Sequence, residues 1–161
     1  MDSGREKLHR AVADALTDNR GASMGELAAS AGVSRATLHR VYGNRDDLNV
    51  EVYGWLLDQC DAALDSAGID SGPVLDGFDS LIEESYPLAQ SYWLLIATPS
   101  LEKVPALLAR IEAQDKRIDQ FFKRGQEEGV FRPDLPPRWL VYTLGAQVMS
   151  TWYLVKDGYA A

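Results

Sequence analysis

The 161-residue chain has little of what catalytic and secreted proteins usually contain, with one cysteine, Cys60, and two histidines. A single cysteine excludes an intrachain disulfide framework and a multi-cysteine zinc site. The first ten residues are rich in charge and no apolar run follows them, so we expect no secretory signal peptide. The chain also lacks a P-loop and a glycine-rich dinucleotide-binding motif. We therefore expect a cytoplasmic protein in a reducing compartment, with no cofactor and no bound metal.

Three patterns suggest catalysis at first sight, and each has a simpler interpretation. Glu6 and His9 have the E-x-x-H spacing of a di-iron helix, but that site requires a second such pair. We interpret His9 as a surface residue of a helix, and Cys60 as a buried small apolar residue. Glu83 and Glu84 are adjacent on a helix and diverge, which indicates a solvated face. The sequence therefore predicts that the protein is not an enzyme.

Charged and aromatic residues are distributed unevenly along the chain. The formal net charge is −8. Residues 1–50 contain seven basic and seven acidic groups, whereas residues 51–161 contain nine basic and seventeen acidic groups. Only Tyr42 among the fifteen aromatic residues lies in the first fifty positions. An acidic chain disfavours nucleic acid as a partner, but its first part is neutral and bears arginines. Two regions with different roles are expected.

Apolar residues recur at helical spacing along nearly the whole chain, and no stretch alternates as a half-buried strand would. This periodicity predicts an all-α protein. Ser23 and Glu26 have the spacing of a capping box, and Ser34 and Asn44 suit the N-caps of the next two helices. Charged residues of the long penultimate helix are spaced for pairs within that helix, as in Asp119 and Lys123. The longer helices are expected over residues 45–67, from 74 to about 87, 101–128 and 138–156.

The most specific pattern is GELAASAGVSRATLHRVY, residues 25–42. Leu27, Val33 and Leu38 have the apolar spacing of two short helices that cross steeply, and Gly32 lies at the turn, where positive φ is favoured. The second short helix leaves polar or small residues on its outer side. These features predict a helix-turn-helix whose second helix enters a major groove. The alternative is an ordinary αα-hairpin with no nucleic-acid partner.

The recognition helix, residues 34–42, supplies the predicted DNA contacts. Arg35 and His39 are the predicted base-edge contacts, and phosphate contacts set the register of the helix in the groove. The predicted phosphate contacts are Thr37, Arg40, Tyr42 and Arg45, and Ser34 and Ala36 complete the DNA-facing set.

Residues 5–48 resemble the DNA-binding domain of the TetR family of transcriptional regulators. The resemblance rests on an arginine near the start of the first helix, on a turn and on a recognition-helix sequence. His39 stands where the family usually has tyrosine. The matching segments are Arg5, Ala31-Gly32-Val33-Ser34, Thr37-Leu38-His39-Arg40-Val41-Tyr42 and Arg45-Asp46-Asp47-Leu48.

The resemblance implies a division into two domains. Residues 1–47 would form a three-helix DNA-binding domain containing the helix-turn-helix, and residues 48–161 a helical domain for ligand binding and dimerisation. It further implies a homodimer on a pseudo-palindromic operator in duplex DNA. A small-molecule inducer would change the spacing of the two DNA-binding heads.

The last helix contains no charged residue over seventeen positions, residues 139–155. This length is the lower limit for a membrane span, polar residues dilute it, and no positive cluster follows, so we expect no membrane insertion. A helix that is apolar all round is more simply explained by burial on two sides. Gly145 and Ala146 would allow a partner helix to approach closely. A homodimer is therefore expected.

The aromatic residues after position 50 suggest a small-molecule pocket, because several have polar tips that need a partner when buried. The alternative is a solid core. We expect an apolar or aromatic ligand, and aromatic faces in an acidic domain would also attract a cation. The predicted ligand contacts are Trp55, Gln59, Phe78, Tyr86, Trp93, Gln114, Phe121 and Tyr142.

These features together predict a ligand-responsive DNA-binding regulator, a repressor that a small apolar or aromatic molecule releases from its operator. One alternative is a helical small-molecule-binding protein with a non-functional helix-turn-helix. Another is an interaction module that contacts a different protein through its apolar last helix. Ligand binding without affinity for DNA would favour the first alternative, and a protein that stays monomeric until a partner is added would favour the second.

Overall fold

The computed structural model describes residues 4–89, 94 and 104–159, and over these residues the chain contains seven α-helices and no β-strand. The all-α prediction is confirmed. The predicted apolar segment at 91–97 lies outside the described residues, except for Leu94. A 3₁₀ turn, Tyr86–Leu88, follows the fifth helix. The helices are α1 Gly4–Asp18, α2 Met24–Ser30, α3 Arg35–Tyr42, α4 Arg45–Ser66, α5 Val74–Ser85, α6 Pro105–Glu127 and α7 Pro137–Lys156.

The chain divides into two compact units. The first unit comprises residues 1–57 and 90–107, and the second comprises residues 58–89 and 108–161. Helix α4 contributes residues to both units. The domain boundary after residue 47 remains a prediction.

The short helices α2 and α3 begin at the residues that the sequence predicts. The backbone N–H of Ser23 donates to Oε2 of Glu26 at 2.6 Å, and the N–H of Glu26 donates to Oγ of Ser23 at 3.3 Å. The first of these bonds lowers the pKa of Glu26, because it favours the carboxylate. Oγ of Ser34 accepts from the N–H of Thr37 at 3.0 Å. Both N-caps satisfy donors that the first turn of a helix leaves free.

Helix α4 is capped in the same way. Oδ1 of Asn44 accepts from the N–H groups of Asp46 and Asp47 at 2.9 and 3.0 Å. Both aspartates lie in the first turn, where negative charge is favourable beside the helix dipole. The cap residue predicted for this helix is confirmed.

His9 is part of the core of the first unit, so its interpretation as a surface residue is wrong. It is 8% exposed. Its ring centroid lies 5.7 Å from that of Tyr42 and 5.9 Å from that of Trp55. Nε2 lies 3.8 Å from Oε2 of Glu51. The fully buried apolar residues of this unit include Val12, Leu27, Leu38, Leu48 and Val52, each 0% exposed.

The second unit is built around an aromatic cluster. Phe121 and Phe122 of α6 are 1% and 3% exposed, and both rings lie within 6.0 Å of the ring of Phe131. The rings of Phe121 and Phe131 meet edge to face, and such pairs stabilise a core beyond their buried area. On one side, α7 packs against this cluster through Leu140, Val141 and Leu144.

Three arginines of α6 stand seven residues apart and bind oxygen atoms of α4 or of the residues that follow it. The sequence predicted the pair Asp119–Lys123 within α6. Asp119 instead pairs with Arg138 of α7 at 3.2 Å, and Lys123 forms a pair with Glu127, four residues later in α6. The partners of the three arginines are Asp58 and Asp61 for Arg110 (2.7 and 2.8 Å), Asp65 and Asp70 for Arg117 (2.7 and 2.5 Å), and the carbonyl of Ile69 for Arg124 (3.1 Å).

The opposite side of α7 is exposed. No residue of α7 is buried, and Trp139 and Tyr142 are 51% and 66% exposed. Trp139, Tyr142, Ala146 and Tyr153 follow one another at intervals of three, four and seven residues, which places them on one face of the helix. None of the helices in the described ranges is both long and apolar enough to cross a membrane.

Candidate functional site

The helix-turn-helix is formed by α2 and α3, which pack against each other, and α1 packs against α2. Gly32 has φ +66°, a conformation that glycine adopts without steric cost. The N–H of Val33 then donates to the carbonyl of Ala28 at 3.0 Å, which ties the turn back onto α2. Ala28 is 2% exposed where the turn folds over it. The turn therefore has the local structure that the sequence predicted.

The outer face of α3 presents two arginines and a histidine, and no acid. Arg35, His39 and Arg40 are exposed, and no acidic residue occurs among residues 35–42. Leu38 faces inward and is 0% exposed. The other predicted DNA-facing residues are Ser34 and Ala36, both exposed, and Thr37, which is half-buried with its hydroxyl 2.8 Å from that of Ser34.

Tyr42 points in the opposite direction. It is 3% exposed, its ring packs beside His9, and burial raises its pKa to about 12. The hydroxyl has no hydrogen-bond partner within the part of the chain that the structure describes. A phosphate contact by Tyr42 remains a prediction, but the side chain belongs to the core of the first unit.

The guanidinium group of Arg45 forms hydrogen bonds within the protein. Its guanidinium donates to the carbonyl of Arg20 at 2.8 Å and to the carbonyl of Ala22, and Nε donates to Oδ1 of Asn49 at 3.1 Å. These bonds join the first turn of α4 to the loop between α1 and α2. Arg45 therefore has a structural role that the sequence analysis missed, and its phosphate contact remains a prediction.

The imidazole of His39 is held by the backbone at the end of α3. Nδ1 lies 2.7 Å from the carbonyl oxygen of Gly43. Gly43 has φ +77° and ψ −79°, and the N–H of Asn44 donates to the carbonyl of Tyr42 at 3.0 Å, which forms a γ-turn. A Cβ at Gly43 would lie 3.1 Å from Oδ2 of Asp47. The sequence signal for this turn is a glycine between a recognition helix and an N-cap asparagine.

The structure places the predicted ligand residues in several environments. Trp55 belongs to the first unit and is half-buried, with the guanidinium of Arg10 5.9 Å from its ring centroid. Phe78 and Phe121 belong to the aromatic cluster of the second unit. Trp93 lies outside the described residues. Of the remaining four, Gln59 and Tyr86 are half-buried, Gln114 is buried, and Tyr142 is exposed beneath the guanidinium of Arg138.

Gln114 belongs to a polar network at the edge of the second unit. Nε2 of Gln114 donates to Oδ1 of Asp61 at 2.8 Å, and Asp61 also accepts from Arg110. Burial raises the pKa of the neighbouring Cys60 thiol to about 12, which keeps it protonated and unreactive at neutral pH. A cleft of about 120 Å³ in this unit is lined by Ile69, Asp70, Arg117, Gln120, Phe121 and Arg124.

Comparison with known proteins gives a consistent set of relatives, although no family model matches the chain. The chain is 32% identical over 163 residues to the HTH-type transcriptional repressor LfrR of Mycolicibacterium smegmatis, a match that covers 98% of this chain and 85% of LfrR. It is 36% identical over 135 residues to the HTH-type transcriptional regulator NfxB of Pseudomonas aeruginosa, covering 81% of this chain and 71% of NfxB.

The fold agrees with these matches. The crystal structure of the TetR-like transcriptional regulator LfrR from Mycobacterium smegmatis in complex with proflavine superposes with a TM-score of 0.74 at 30% identity. The superposition covers 97% of this chain and 88% of that structure.

The bonds made by Arg45 lead to a stability prediction. Arg45→Ala should lower the free energy of unfolding by about 2 kcal/mol, because two loop carbonyls lose a charged donor. Arg45→Lys should recover little, since an ammonium group cannot present a planar fork of donors. Urea unfolding followed by circular dichroism, without DNA, measures the effect.

Arg40→Ala is the matched control for this prediction. Its side chain is exposed on α3, so its removal should change the free energy of unfolding by no more than about 0.5 kcal/mol. An Arg45→Ala protein that unfolds at the wild-type urea concentration would show that these bonds contribute nothing.

Proposed function

The chain belongs to the TetR family of transcriptional regulators, and we propose that it is a ligand-responsive repressor that binds a pseudo-palindromic operator as a homodimer. The observation that carries this proposal is the outer face of α3, where Arg35, His39 and Arg40 are exposed without an acidic neighbour on the helix. LfrR, its relative over most of its length, is named as a transcriptional repressor.

The position of a residue on α3 decides whether we assign it to a base edge or to a phosphate. Arg35 is the first residue of the helix, and the N-terminal residues of a recognition helix contact base edges. Its five donors match the N7 and O6 acceptors of guanine. His39 is four residues further along and lies on the same face. Thr37 and Arg40 then contact phosphates and fix the position of α3 in the groove.

The uncovered face of α7 supports a homodimer. Trp139, Tyr142 and Tyr153 are exposed along one stripe of a helix whose other side already packs on the core. An exposed aromatic stripe of this kind marks a protein–protein interface. Ala146 lies between the aromatic side chains and allows a second α7 to approach closely. A two-fold dimer presents two copies of α3, which requires an operator with two related half-sites.

The aromatic residues of the second unit and its negative charge support a ligand that is an aromatic cation. The LfrR structure contains proflavine, a planar aromatic cation. Within the second unit, the contacts that we propose from the predicted set are Gln59, Phe78, Tyr86, Gln114 and Phe121, and Asp61 adds a carboxylate that already binds Gln114 and Arg110. Helix α4 is common to both units, so a ligand that displaces α4 would also act on Arg45 and the helix-turn-helix.

The first test is selection of binding sites from genomic fragments. We expect an enriched, approximately palindromic site whose binding weakens steeply with salt. Arg35→Ala should cost about 1–3 kcal/mol and relax the preference at one base pair of each half-site, whereas Arg40→Ala should weaken all sequences alike. If no sequence is enriched at low salt while proflavine still binds, the chain is a ligand-binding protein with a non-functional helix-turn-helix.

The second test concerns the dimer. Ala146→Glu places a charge in the middle of the exposed stripe of α7, so it should convert the dimer to a monomer in analytical ultracentrifugation. Affinity for the palindromic site should fall about 100-fold or more, because the two half-sites are then no longer bound by one linked molecule. Ala109→Glu, at an exposed alanine of α6, adds the same charge and should leave the dimer intact. A dimeric Ala146→Glu protein would place the interface elsewhere.

The third test measures coupling between ligand and operator. Saturating operator should weaken proflavine binding by the same factor by which proflavine weakens operator binding, about 5- to 150-fold. Planar cations also stack on DNA bases, so release of an unrelated repressor from its own operator by proflavine serves as the control. Equal proflavine affinities with and without operator would show that ligand binding and operator binding are not coupled.

A further inference from the structure

His39 and Gly43 are joined by two hydrogen bonds. The backbone N–H of Gly43 donates to the carbonyl of His39 at 2.8 Å, as the last turn of α3 requires. In the opposite direction, Nδ1 of His39 lies 2.7 Å from the carbonyl oxygen of Gly43. The γ-turn is closed by the bond from the N–H of Asn44 to the carbonyl of Tyr42, and the side chain of Asn44 caps the next helix. The hydrogen bond to Gly43 therefore orients the imidazole in the absence of DNA.

This contact determines which nitrogen of His39 carries the proton. A carbonyl oxygen only accepts hydrogen bonds, so Nδ1 must be the donor. A neutral imidazole has a single N–H group, which leaves Nε2 with a free lone pair. His39 is exposed, and no described residue forms a hydrogen bond with Nε2. The outer face of α3 thus presents one fixed acceptor beside its arginine donors.

A fixed acceptor restricts what His39 can bind in DNA. Phosphate oxygens accept and do not donate, so neutral His39 has no hydrogen bond to offer them. The N7 and O6 atoms of guanine are also acceptors. The donors exposed in the major groove are the N6 amino group of adenine and the N4 amino group of cytosine.

We infer that His39 determines operator specificity as a hydrogen-bond acceptor, with Nε2 accepting from the exocyclic amino group of adenine or cytosine in the major groove. This inference rests on the proposed function, which places α3 in the groove. Arg35, one helical turn earlier, carries donors only. On neighbouring base edges, Arg35 therefore binds acceptor atoms and His39 binds a donor group.

The first experiment tests the proton position without DNA. A long-range ¹H–¹⁵N correlation spectrum of the full chain at about pH 8, where imidazole is neutral, distinguishes the two ring tautomers. We expect the Nδ1–H form for His39, and His39→Phe identifies its signals by their loss. An Nε2–H tautomer would overturn the inference whatever the protein does to DNA.

The second experiment removes single atoms from the operator. His39→Phe keeps a planar ring but no acceptor, and comparison of its site preferences with those of the wild type identifies the base pair that His39 controls. Replacing adenine there by purine, or cytosine by 2-pyrimidinone, deletes the amino group. Wild-type affinity should fall about 3- to 10-fold, as expected for one neutral hydrogen bond, while His39→Phe should show no further loss. Arg40→Ala is the control and should retain the wild-type loss.

Two other results would overturn the inference. If the affinity of the wild type falls instead when the purine is replaced by its 7-deaza analogue, which lacks the N7 acceptor, His39 acts as a donor. An unchanged site preference in both His39→Phe and His39→Ala would show that His39 reads no base. If the wild-type chain selects no sequence at all, the proposed function fails together with the inference, whereas the first two results leave that function intact.

Discussion

The recognition helix α3 is only eight residues long, and a helix of that length is not stable in water by itself. Its presence depends on what surrounds it. Leu38 and Tyr42 anchor its inner face in the core, Ser34 caps its first turn, and the γ-turn at Gly43 ends it. The first unit is therefore best understood as a support that keeps one short cationic surface in a single conformation.

The need to hold α3 in place explains why two of the predicted DNA-contact residues, Tyr42 and Arg45, form contacts within the protein. Arg45 begins the helix that follows α3, and its guanidinium holds the loop that precedes α2. Tyr42 ends α3 and packs against His9 of α1. Tyr42 is the last residue of α3, and Arg45 follows three positions later. At such positions the residue types that support the helix are the same as those that contact DNA. An arginine fork suits loop carbonyls as well as it suits phosphates.

Local signals predicted the backbone well. The caps at Ser23, Ser34 and Asn44 and the glycine turn at Gly32 need only a few neighbouring residues, and each is confirmed. Contacts between helices were not predictable in this way. In α1 the buried residues include His9 beside Val12 and Leu16, and the polar side chain of His9 gives no local signal of its burial.

The charges of α6 show the same limit of local reasoning. Its arginines stand seven residues apart, and the aspartates of α4 stand three or four residues apart, so two helices packed side by side bring the two sets together. Exposed pairs of this kind contribute little free energy each. Their value is in fixing the register of α6 against α4, while the aromatic cluster contributes buried apolar area to the second unit. Single-helix spacing contains no information about such partners.

The distribution of ion pairs also reconciles a net charge of −8 with a DNA-binding surface. Arg110, Arg117 and Arg138 each bind two aspartates, so these cations are not available to phosphates and each group retains a negative excess. The cations of α3 have no such acidic partners on their helix. An acidic second unit repels DNA, and the exposed face of α3 attracts it. The net negative charge of the chain is therefore compatible with the proposed binding of DNA by α3.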